Sequence, residues 1–149
     1  MLDLNNNGAP PLVLVVDDDA AQLLMLETTL SQAGMSVAQA ANGSEALASF
    51  KKLQPDLVLM DILMPVMDGL QACSAIRELA EGKDVPIVLI TGLDDHESIQ
   101  RAFDADATDF ITKPVNWPIL NHRVRYLLKA NEAYTALRQS EIRLSDAQR

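Results

Sequence analysis

Five short apolar runs, each bounded by turn residues, alternate with segments in which apolar residues recur every three or four positions. The runs are typical of buried strands, and the segments between them are typical of amphipathic helices. Strands that alternate with helices form a parallel sheet with right-handed crossovers and helices on both faces. The sequence therefore predicts a doubly wound α/β domain with a five-stranded parallel sheet. The predicted strands are Leu12–Val16, Met35–Ala38, Leu57–Met60, Ile87–Ile90 and Asp109–Thr112.

Capping residues mark where the predicted helices begin and end. Asp19 is placed to cap the first helix, Gly34 follows its last turn, and Pro118 stands in the first turn of the last helix. These residue types favour those positions. The residues that recur at helical spacing are Leu23, Leu26, Leu30 and Ala33, then Ala46, Leu47, Phe50 and Leu53, then Leu70, Cys73, Ile76, Arg77 and Leu79, and then Ile99, Ala102 and Phe103.

Charged and polar residues follow four of the five predicted strands. Asp17 and Asp18 come after the first strand, Asp61 after the third, Thr91 after the fourth and Lys113 after the fifth. Because parallel strands all end at the same edge of a sheet, these five side chains are predicted to converge there. Open α/β sheets bind ligands at this edge, so the sequence predicts a functional site built from these residues.

The converging residues suit phosphoryl transfer, which depends mainly on positioning and charge neutralisation. Three carboxylates at one site repel each other unless a cation neutralises them, and oxygen ligands with an open position suit Mg²⁺. Asp61 could then act as a nucleophile and form an acyl phosphate. Lys113 would supply positive charge to the phosphoryl oxygens, and the Thr91 hydroxyl could donate a hydrogen bond to one of them.

The charge of the chain is distributed unevenly. Residues 1–115 contain 18 acidic and 6 basic residues, whereas residues 116–149 contain 6 basic and 3 acidic residues. An acidic body of this kind argues against direct binding to nucleic acid. No apolar run approaches the ~20 residues of a membrane span, and the N-terminus lacks the pattern of a signal peptide. With Cys73 as the single cysteine, a cytoplasmic location is expected.

Four motifs stand in order along the chain at the ends of predicted strands. They are Val-Val-Asp-Asp at residues 15–18, Asp-x-x-Met-Pro-x-Met-Asp-Gly at residues 61–69, Thr91-Gly92 and Lys113-Pro114. Each motif alone is weak, but in this order and placement they resemble the receiver domains of two-component response regulators. The resemblance covers about Leu12–Leu128 and implies a (βα)5 flavodoxin-like fold, followed here by an extended C-terminal helix.

The resemblance also implies how the acidic residues act. Asp61 would accept a phosphoryl group from the phosphohistidine of a sensor histidine kinase or a phosphotransfer protein. Mg²⁺ would be bound directly by Asp18, Asp61 and the backbone carbonyl of Leu63, and mainly through water by Asp17. The chain would therefore assist its own phosphorylation and dephosphorylation without being an enzyme that turns over an external substrate.

The remaining site residues would sense the phosphoryl group. Thr91 and Lys113 would contact it, and Thr91 would shift on activation. Phe110 occupies the position of an aromatic switch residue that swings inward as Thr91 moves; as an alternative, it is an ordinary core residue. The Lys113–Pro114 peptide bond is expected to be cis, a conformation confined almost entirely to bonds before proline.

Two leucines bear on how long the phosphoryl group persists. Leu63 and Leu93 each stand two residues after a site residue, Asp61 and Thr91. In the resemblance, these positions flank the path of the water that hydrolyses the acyl phosphate. Neither leucine side chain can orient that water by hydrogen bonding, so slow autodephosphorylation is predicted.

The last predicted helix is too long for the domain. A helix from Trp117 to Arg149 would span roughly 45–50 Å. A flawed heptad seam predicts a coiled coil there, and a solvated helix is equally compatible. The predicted organisation is a disordered lead-in at residues 1–10, the receiver domain at 11–128, and a helical linker or coiled-coil extension at 129–149. The seam residues are Leu127, Ala130, Tyr134, Leu137, Glu141, Leu144 and Gln148.

The function predicted from these observations is a phosphorylation-controlled switch at the N-terminus of a longer protein. Homodimerisation through the helix 4–strand 5–helix 5 face, extended by the tail, would control a C-terminal output module. A regulated enzymatic output, with cyclic-di-GMP signalling as one candidate, is favoured over transcription. One alternative is a Mg²⁺-dependent phosphohydrolase of the haloacid dehalogenase type, with Asp17 as nucleophile and Asp19 as acid. Another is a degenerate receiver that serves only as a protein-binding module.

Overall fold

The computed structural model describes residues 9–92 and 96–147, with the exception of the side chains of residues 98 and 144–147. Strands and helices alternate along the chain as predicted. The elements are β1 (Leu12–Val16), α1 (Ala20–Gln32), β2 (Ser36–Ala40), α2 (Gly43–Leu53), β3 (Leu57–Asp61), α3 (Gly69–Glu78), a 3-10 turn (Ala80–Gly82), β4 (Ile87–Thr91), α4 (His96–Asp104), β5 (Asp109–Thr112) and α5 (Trp117–Ala147).

The five strands form one parallel sheet in the order β2-β1-β3-β4-β5. Side chains alternate between its two faces, so each strand contributes to two cores. Leu14, Val58 and Leu89 lie in the core under α2, α3 and α4, whereas Val15 and Leu59 lie in the core under α1 and α5. Both faces of the sheet are therefore covered, and the predicted doubly wound fold is confirmed.

Side-chain caps fix the beginnings of the helices. The Asp19 carboxylate accepts hydrogen bonds from the backbone N–H groups of Ala21 and Gln22 at the start of α1, as predicted. Asp68 and Gln71 form a reciprocal capping box at the start of α3. Gly34 follows α1 with a φ of 95°, a left-handed conformation that glycine adopts readily.

The strand boundaries differ from the sequence prediction at three places. β2 spans Ser36–Ala40 rather than Met35–Ala38, because the N–H of Met35 donates a hydrogen bond to the carbonyl of Leu30 and completes the end of α1. β3 and β4 each extend one residue further than predicted, to Asp61 and Thr91. Two predicted site residues therefore belong to regular strands, which hold their backbones in the sheet.

Two residues predicted to lie on inner helix faces are exposed instead. Leu53 is 42% exposed, because it is the last residue of α2 and the chain turns away at Gln54 in a left-handed conformation. Phe103 on α4 is 49% exposed, and its neighbour Ala102 occupies the buried position. The predictions that Cys73 is a buried packing residue and that the histidines lie at the surface are confirmed.

α5 is a continuous helix of 31 residues, about 46 Å long. Its first half packs Leu120, Val124 and Leu128 into the core beside α1. Leu127, the first residue of the predicted heptad seam, also packs partly against this core. The part of α5 after Leu128 is called the tail below.

Several sequence predictions fall outside the described residues. They concern most of the N-terminal lead-in, Leu93, the side chain of Leu144, and Gln148. Within the described residues, no helix has the length and apolar character needed to cross a membrane. The Lys113–Pro114 peptide bond is cis, as the sequence predicted.

Candidate functional site

The carboxyl edge of the sheet brings together residues from four strands. Asp17 follows β1, Asp61 ends β3, Thr91 ends β4, and Lys113 follows β5. Strands β1, β3 and β4 are neighbours at the centre of the sheet, and Thr91 is paired with Thr112 one residue before the lysine. The strand order therefore places these side chains at one position on the edge.

Three carboxylates form an acidic cluster at this position. Asp17, Asp18 and Asp61 each offer an oxygen, and these oxygens all lie within 4.8 Å of one another. Asp17 is 1% exposed and Asp61 is 5% exposed, whereas Asp18 is open to solvent. The carboxylates of Asp17 and Asp61 are thus shielded from water, whereas the carboxylate of Asp18 is accessible.

Asp17 is held in an environment that disfavours its charge. Its Oδ1 accepts a hydrogen bond of 2.9 Å from the N–H of Asp19, but its buried Oδ2 has no partner among the described residues. Burial raises the pKa of Asp17 to about 6, the Asp19 N–H opposes this shift, and the nearby charge of Asp61 adds to it. A bound cation would remove the cost of this ionised carboxylate.

Asp61 is paired with a positive charge. The Nζ atom of Lys113 lies 3.2 Å from its Oδ1 atom. Burial raises the pKa of Asp61 above its usual value, and the lysine opposes that shift by its charge and by its hydrogen bond. Lys113 therefore favours the ionised form of Asp61 despite the burial of that carboxylate.

The donor set of the acidic cluster fits a hard divalent cation. Three carboxylates face a single nearby ammonium group, which leaves an excess of negative charge. All of the ligand atoms are oxygens, the type that Mg²⁺ prefers, and the exposed Asp18 leaves one side open to water or a phosphate. The unpartnered Oδ2 atom of Asp17 is the observation that most favours a bound cation.

The loop between β3 and α3 is built around the backbone of Asp61. A Cβ atom at residue 69 would lie 2.2 Å from the carbonyl oxygen of Asp61, so this position requires glycine. The N–H of Gly69 donates a hydrogen bond of 2.8 Å to the carbonyl of Ile62. Val66 in the same loop has a φ of 71°, a strained conformation for a branched residue. The close approach to the Asp61 carbonyl accounts for the glycine at residue 69.

Thr91 and Phe110 lie on neighbouring strands beside this cluster. Thr91 is 4% exposed at the end of β4. Phe110 is partly buried in β5, and its ring meets the ring of Phe103 edge-to-face with centroids 5.9 Å apart. Phe110 is therefore neither wholly buried in the core nor free of tertiary contacts.

Arg77 has a structural role that its helical spacing alone did not predict. Arg77 on α3 is partly buried and donates hydrogen bonds to the carbonyls of Gly82, Val85 and Asp106, at the sheet edge opposite the site. Burial lowers the pKa of Arg77, and nearby acidic groups oppose that shift. A charged residue at an apolar helical spacing was the available signal in the sequence. The partly buried guanidinium ties two connections together, the one between α3 and β4 and the one between α4 and β5.

Comparisons with known proteins agree with this geometry. The model of the response regulator receiver domain family matches residues 13–125, which is most of the chain. The chain is 36% identical over 117 residues to the response regulator PleD of Caulobacter vibrioides. It is 34% identical over 119 residues to the DNA-binding dual master transcriptional regulator RpaA of Synechocystis. These matches include 78% and 79% of the chain, but the chain spans only 26% of PleD and 49% of RpaA.

Solved structures give the same result. The chemotaxis protein CheY4 of Vibrio cholerae superposes with a TM-score of 0.77 and 34% identity, over 80% of this chain and 99% of CheY4. The receiver domain of the sensor histidine kinase PA1611 of Pseudomonas aeruginosa superposes with a TM-score of 0.76 and 28% identity, over 80% of this chain and 98% of that domain. That receiver domain has a magnesium ion coordinated in its active-site cleft. The chain therefore belongs to the response regulator receiver domain family.

Proposed function

We propose that this receiver domain is a phosphoacceptor switch in which Asp61 receives a phosphoryl group from the phosphohistidine of a sensor histidine kinase or a phosphotransfer protein. The observation that carries the proposal is the placement of Asp61 at the end of β3, 3.2 Å from the Lys113 ammonium and beside the carboxylates of Asp17 and Asp18. Membership of the receiver family supports the choice of donor.

The transfer step follows from the chemistry of a carboxylate. An oxygen of Asp61 forms a bond to phosphorus while the bond from phosphorus to the donor nitrogen breaks, and that nitrogen keeps the electron pair. Lys113 stabilises negative charge on the phosphoryl oxygens, and the Thr91 hydroxyl donates a hydrogen bond to one of them. Positioning and charge neutralisation account for most of the catalysis in such a step.

Mg²⁺ is the cofactor that fits these residues. Asp18, Asp61 and the backbone carbonyl of Leu63 would hold it directly, and Asp17 would hold it mainly through water. When bound, Mg²⁺ would offset the carboxylate charges and the charge of the phosphoryl oxygens. The burial of Asp17 and its unpartnered oxygen support this assignment.

The mass of the intact protein tests the phosphoacceptor role. After incubation with acetyl phosphate and Mg²⁺, the wild-type protein is expected to carry one phosphoryl group, and the Asp61→Asn variant none. A chelator should abolish the adduct. No adduct in the wild-type protein would favour a degenerate receiver that only binds proteins. Turnover of an external phosphomonoester would favour a phosphohydrolase, although the use of the Asp19 carboxylate as a helix cap speaks against its role as the acid.

The output is proposed to pass through α4, β5 and α5. Apolar residues recur at heptad-like steps along the exposed side of α5, and this stripe continues from the domain into the tail. Such a stripe suits pairing with a second copy of the chain. Leu127 packs partly against the core, so the proposed stripe differs from the predicted seam. It takes the neighbours Tyr126 and Ala133 in place of Leu127 and Tyr134. The stripe consists of Ile119, Tyr126, Ala130, Ala133 and Leu137.

Sedimentation of variants tests this dimer. Replacement of Tyr126 and Leu137 by serine should weaken self-association, because both side chains lie on the stripe. Replacement of Leu53 by serine is the matched control, since Leu53 is similarly exposed but lies on α2. Unaltered sedimentation of the Tyr126/Leu137 variant would contradict a dimer formed through α5.

The persistence of the phosphoryl group is a further part of the proposal. The Leu63 side chain is exposed at the site and cannot orient a hydrolytic water. Leu63→Asn is expected to shorten the lifetime of the adduct, as measured by the decay of the phosphorylated mass. An unchanged lifetime would contradict this role.

We further propose that the tail leads into a C-terminal output module that produces cyclic-di-GMP. The support is the helical continuation of α5 beyond the domain and the greater length of the matched relatives. Synthesis of cyclic-di-GMP from GTP by the protein with its full C-terminus, stimulated by acetyl phosphate, tests this output. Phosphorylation-dependent binding to DNA would point to transcription instead.

A further inference from the structure

The edge-to-face contact between Phe103 and Phe110 joins α4 to β5. The ring centroids lie 5.9 Å apart with an angle of 88° between the planes. This arrangement places the positive edge of one ring against the negative face of the other and is favoured for aromatic pairs. Phe103 is nearly half exposed, so its ring contacts the Phe110 ring from the solvent side.

Strand register places Phe110 and Thr91 on the same face of the sheet. Thr91 is paired with Thr112, and Leu89 is paired with Phe110. Paired residues of parallel strands point to the same face, as do residues two apart on one strand. Leu89 lies in the core under α2, α3 and α4, so all four side chains lie on that face. The Phe110 ring therefore contacts Phe103 on the same face of the sheet that carries Thr91.

We propose that Phe103 is a positioning residue that holds the Phe110 ring in its outer position and thereby opposes phosphorylation of Asp61. The inference rests on the proposed function and on the inward swing of the Phe110 ring that the resemblance to receiver domains implies. An inward swing of the Phe110 ring would break this contact with Phe103, so the contact stabilises the resting state selectively. A contact that differs between two states shifts their populations by that difference.

The size of the effect follows from the strength of aromatic pairs. Such a pair contributes enough beyond its buried area to shift an equilibrium by about threefold at an exposed position. Phe103→Leu removes the ring but keeps an apolar side chain, so it should raise the rate of Asp61 phosphorylation by about threefold. Phe103→Tyr keeps the ring and should retain the wild-type rate.

A double-mutant cycle separates this role from a general effect on α4. In a Phe110→Leu background there is no ring for residue 103 to hold, so Phe103→Leu should leave the rate of phosphorylation unchanged. The measurement is the rate at which the phosphorylated mass appears with acetyl phosphate and Mg²⁺. An equal change in both backgrounds, or no change in either, would overturn the inference.

NMR of the protein without a phosphodonor provides a test that does not depend on phosphorylation. Phe103→Leu should strengthen the nuclear Overhauser effects between the Phe110 ring and the Thr91 methyl group, whereas Phe103→Tyr should not. Unchanged ring contacts in Phe103→Leu would overturn the inference even if Asp61 is phosphorylated normally. If no phosphoryl adduct forms at all, the proposed function fails, and the ring contacts alone decide the role of Phe103.

Discussion

The two halves of α5 are one continuous helix with opposite environments. In the first half, Leu120 is fully buried and Val124 and Leu128 pack beside it. In the tail, Tyr134, Leu137 and Ile142 are large apolar residues that lie exposed. Helices in water owe most of their stability to the packing of an apolar face. The comparison shows that the first half is fixed by the receiver domain, whereas the tail depends on local helix formation and on whatever covers its apolar side chains.

The body of the chain and its C-terminal region also differ in charge. Residues 1–115 carry the excess of acidic residues, including the three carboxylates of the site, whereas residues 116–149 contain 6 basic and 3 acidic residues. The body thus holds the acidic cluster and the electrostatic cost of its buried charges. The tail holds exposed apolar side chains.

The same substitution in the two halves of α5 should have very different consequences. Leu120→Ala leaves a cavity in the core and is expected to lower the free energy of unfolding by about 3 kcal/mol. Leu137→Ala removes an exposed side chain and should change it by less than about 0.5 kcal/mol. Urea denaturation of the dilute, monomeric protein measures both. A comparable loss in the two variants would show that the tail is packed as tightly as the domain.

Removal of a buried carboxylate from the body should change the free energy of unfolding, whereas removal of an exposed carboxylate from the tail should not. In the presence of a chelator, Asp17→Asn is expected to raise the free energy of unfolding by about 2 kcal/mol near neutral pH, because burial disfavours the charged form of Asp17. Glu141→Gln in the tail is the control and should have little effect, since Glu141 is exposed. Equal stabilities of the Asp17→Asn variant and the wild-type protein would contradict this account of the acidic cluster.

The pH dependence of this effect has a definite sign. The pKa of Asp17 is about 6 in the folded protein and 3.8 without the influence of the fold, so the folded state binds this proton more tightly. The metal-free wild-type protein should therefore gain about 1 kcal/mol from Asp17 as the pH falls from about 7.5 to about 5. The advantage of Asp17→Asn should shrink by the same amount. If the difference in unfolding free energy between Asp17→Asn and the wild-type protein widened on acidification, the raised pKa of Asp17 would be contradicted.

The sequence predicted the body of the fold well because two independent signals agreed there. Apolar runs marked the strands, and the charged residues after them marked the shared sheet edge. The strand β2 was misplaced because it lies at the edge of the sheet and lacks a strong apolar run, and its boundary depends on the hydrogen bond from Met35 to Leu30. Backbone hydrogen bonds of this kind leave little trace in hydrophobic periodicity.

Two side-chain placements were not predictable from spacing alone, one at Phe103 near the end of α4 and one at Leu127 within α5. Phe103 fits the apolar face of α4 by spacing, yet its ring lies against Phe110 at the rim. Leu127 fits a heptad seam by spacing, but its side chain packs partly against the core. The roles of Arg77 and of the ion pair between Arg138 and Asp84 depend on contacts distant in sequence, which periodicity cannot predict.

The ion pair between Arg138 and Asp84 is the smallest expected effect in the comparison. It joins the tail to the connection before β4, and both side chains are exposed, so it should contribute less than about 1 kcal/mol. Asp84→Asn is expected to raise hydrogen exchange in the tail amides around Arg138 by about twofold to threefold and to leave exchange in β4 unchanged. The double variant Asp84→Arg, Arg138→Asp should restore protection. No restoration would show that the pair does not orient the tail.

The identity of the phosphorylated residue tests the central claim most directly. Reduction of the acyl phosphate with borohydride, followed by peptide mapping, converts the modified aspartate to homoserine and marks its position. The account predicts one homoserine, at residue 61, in protein treated with acetyl phosphate and Mg²⁺. Homoserine at residue 17 or 18 would place the nucleophile on β1 and contradict the assignment of Asp61.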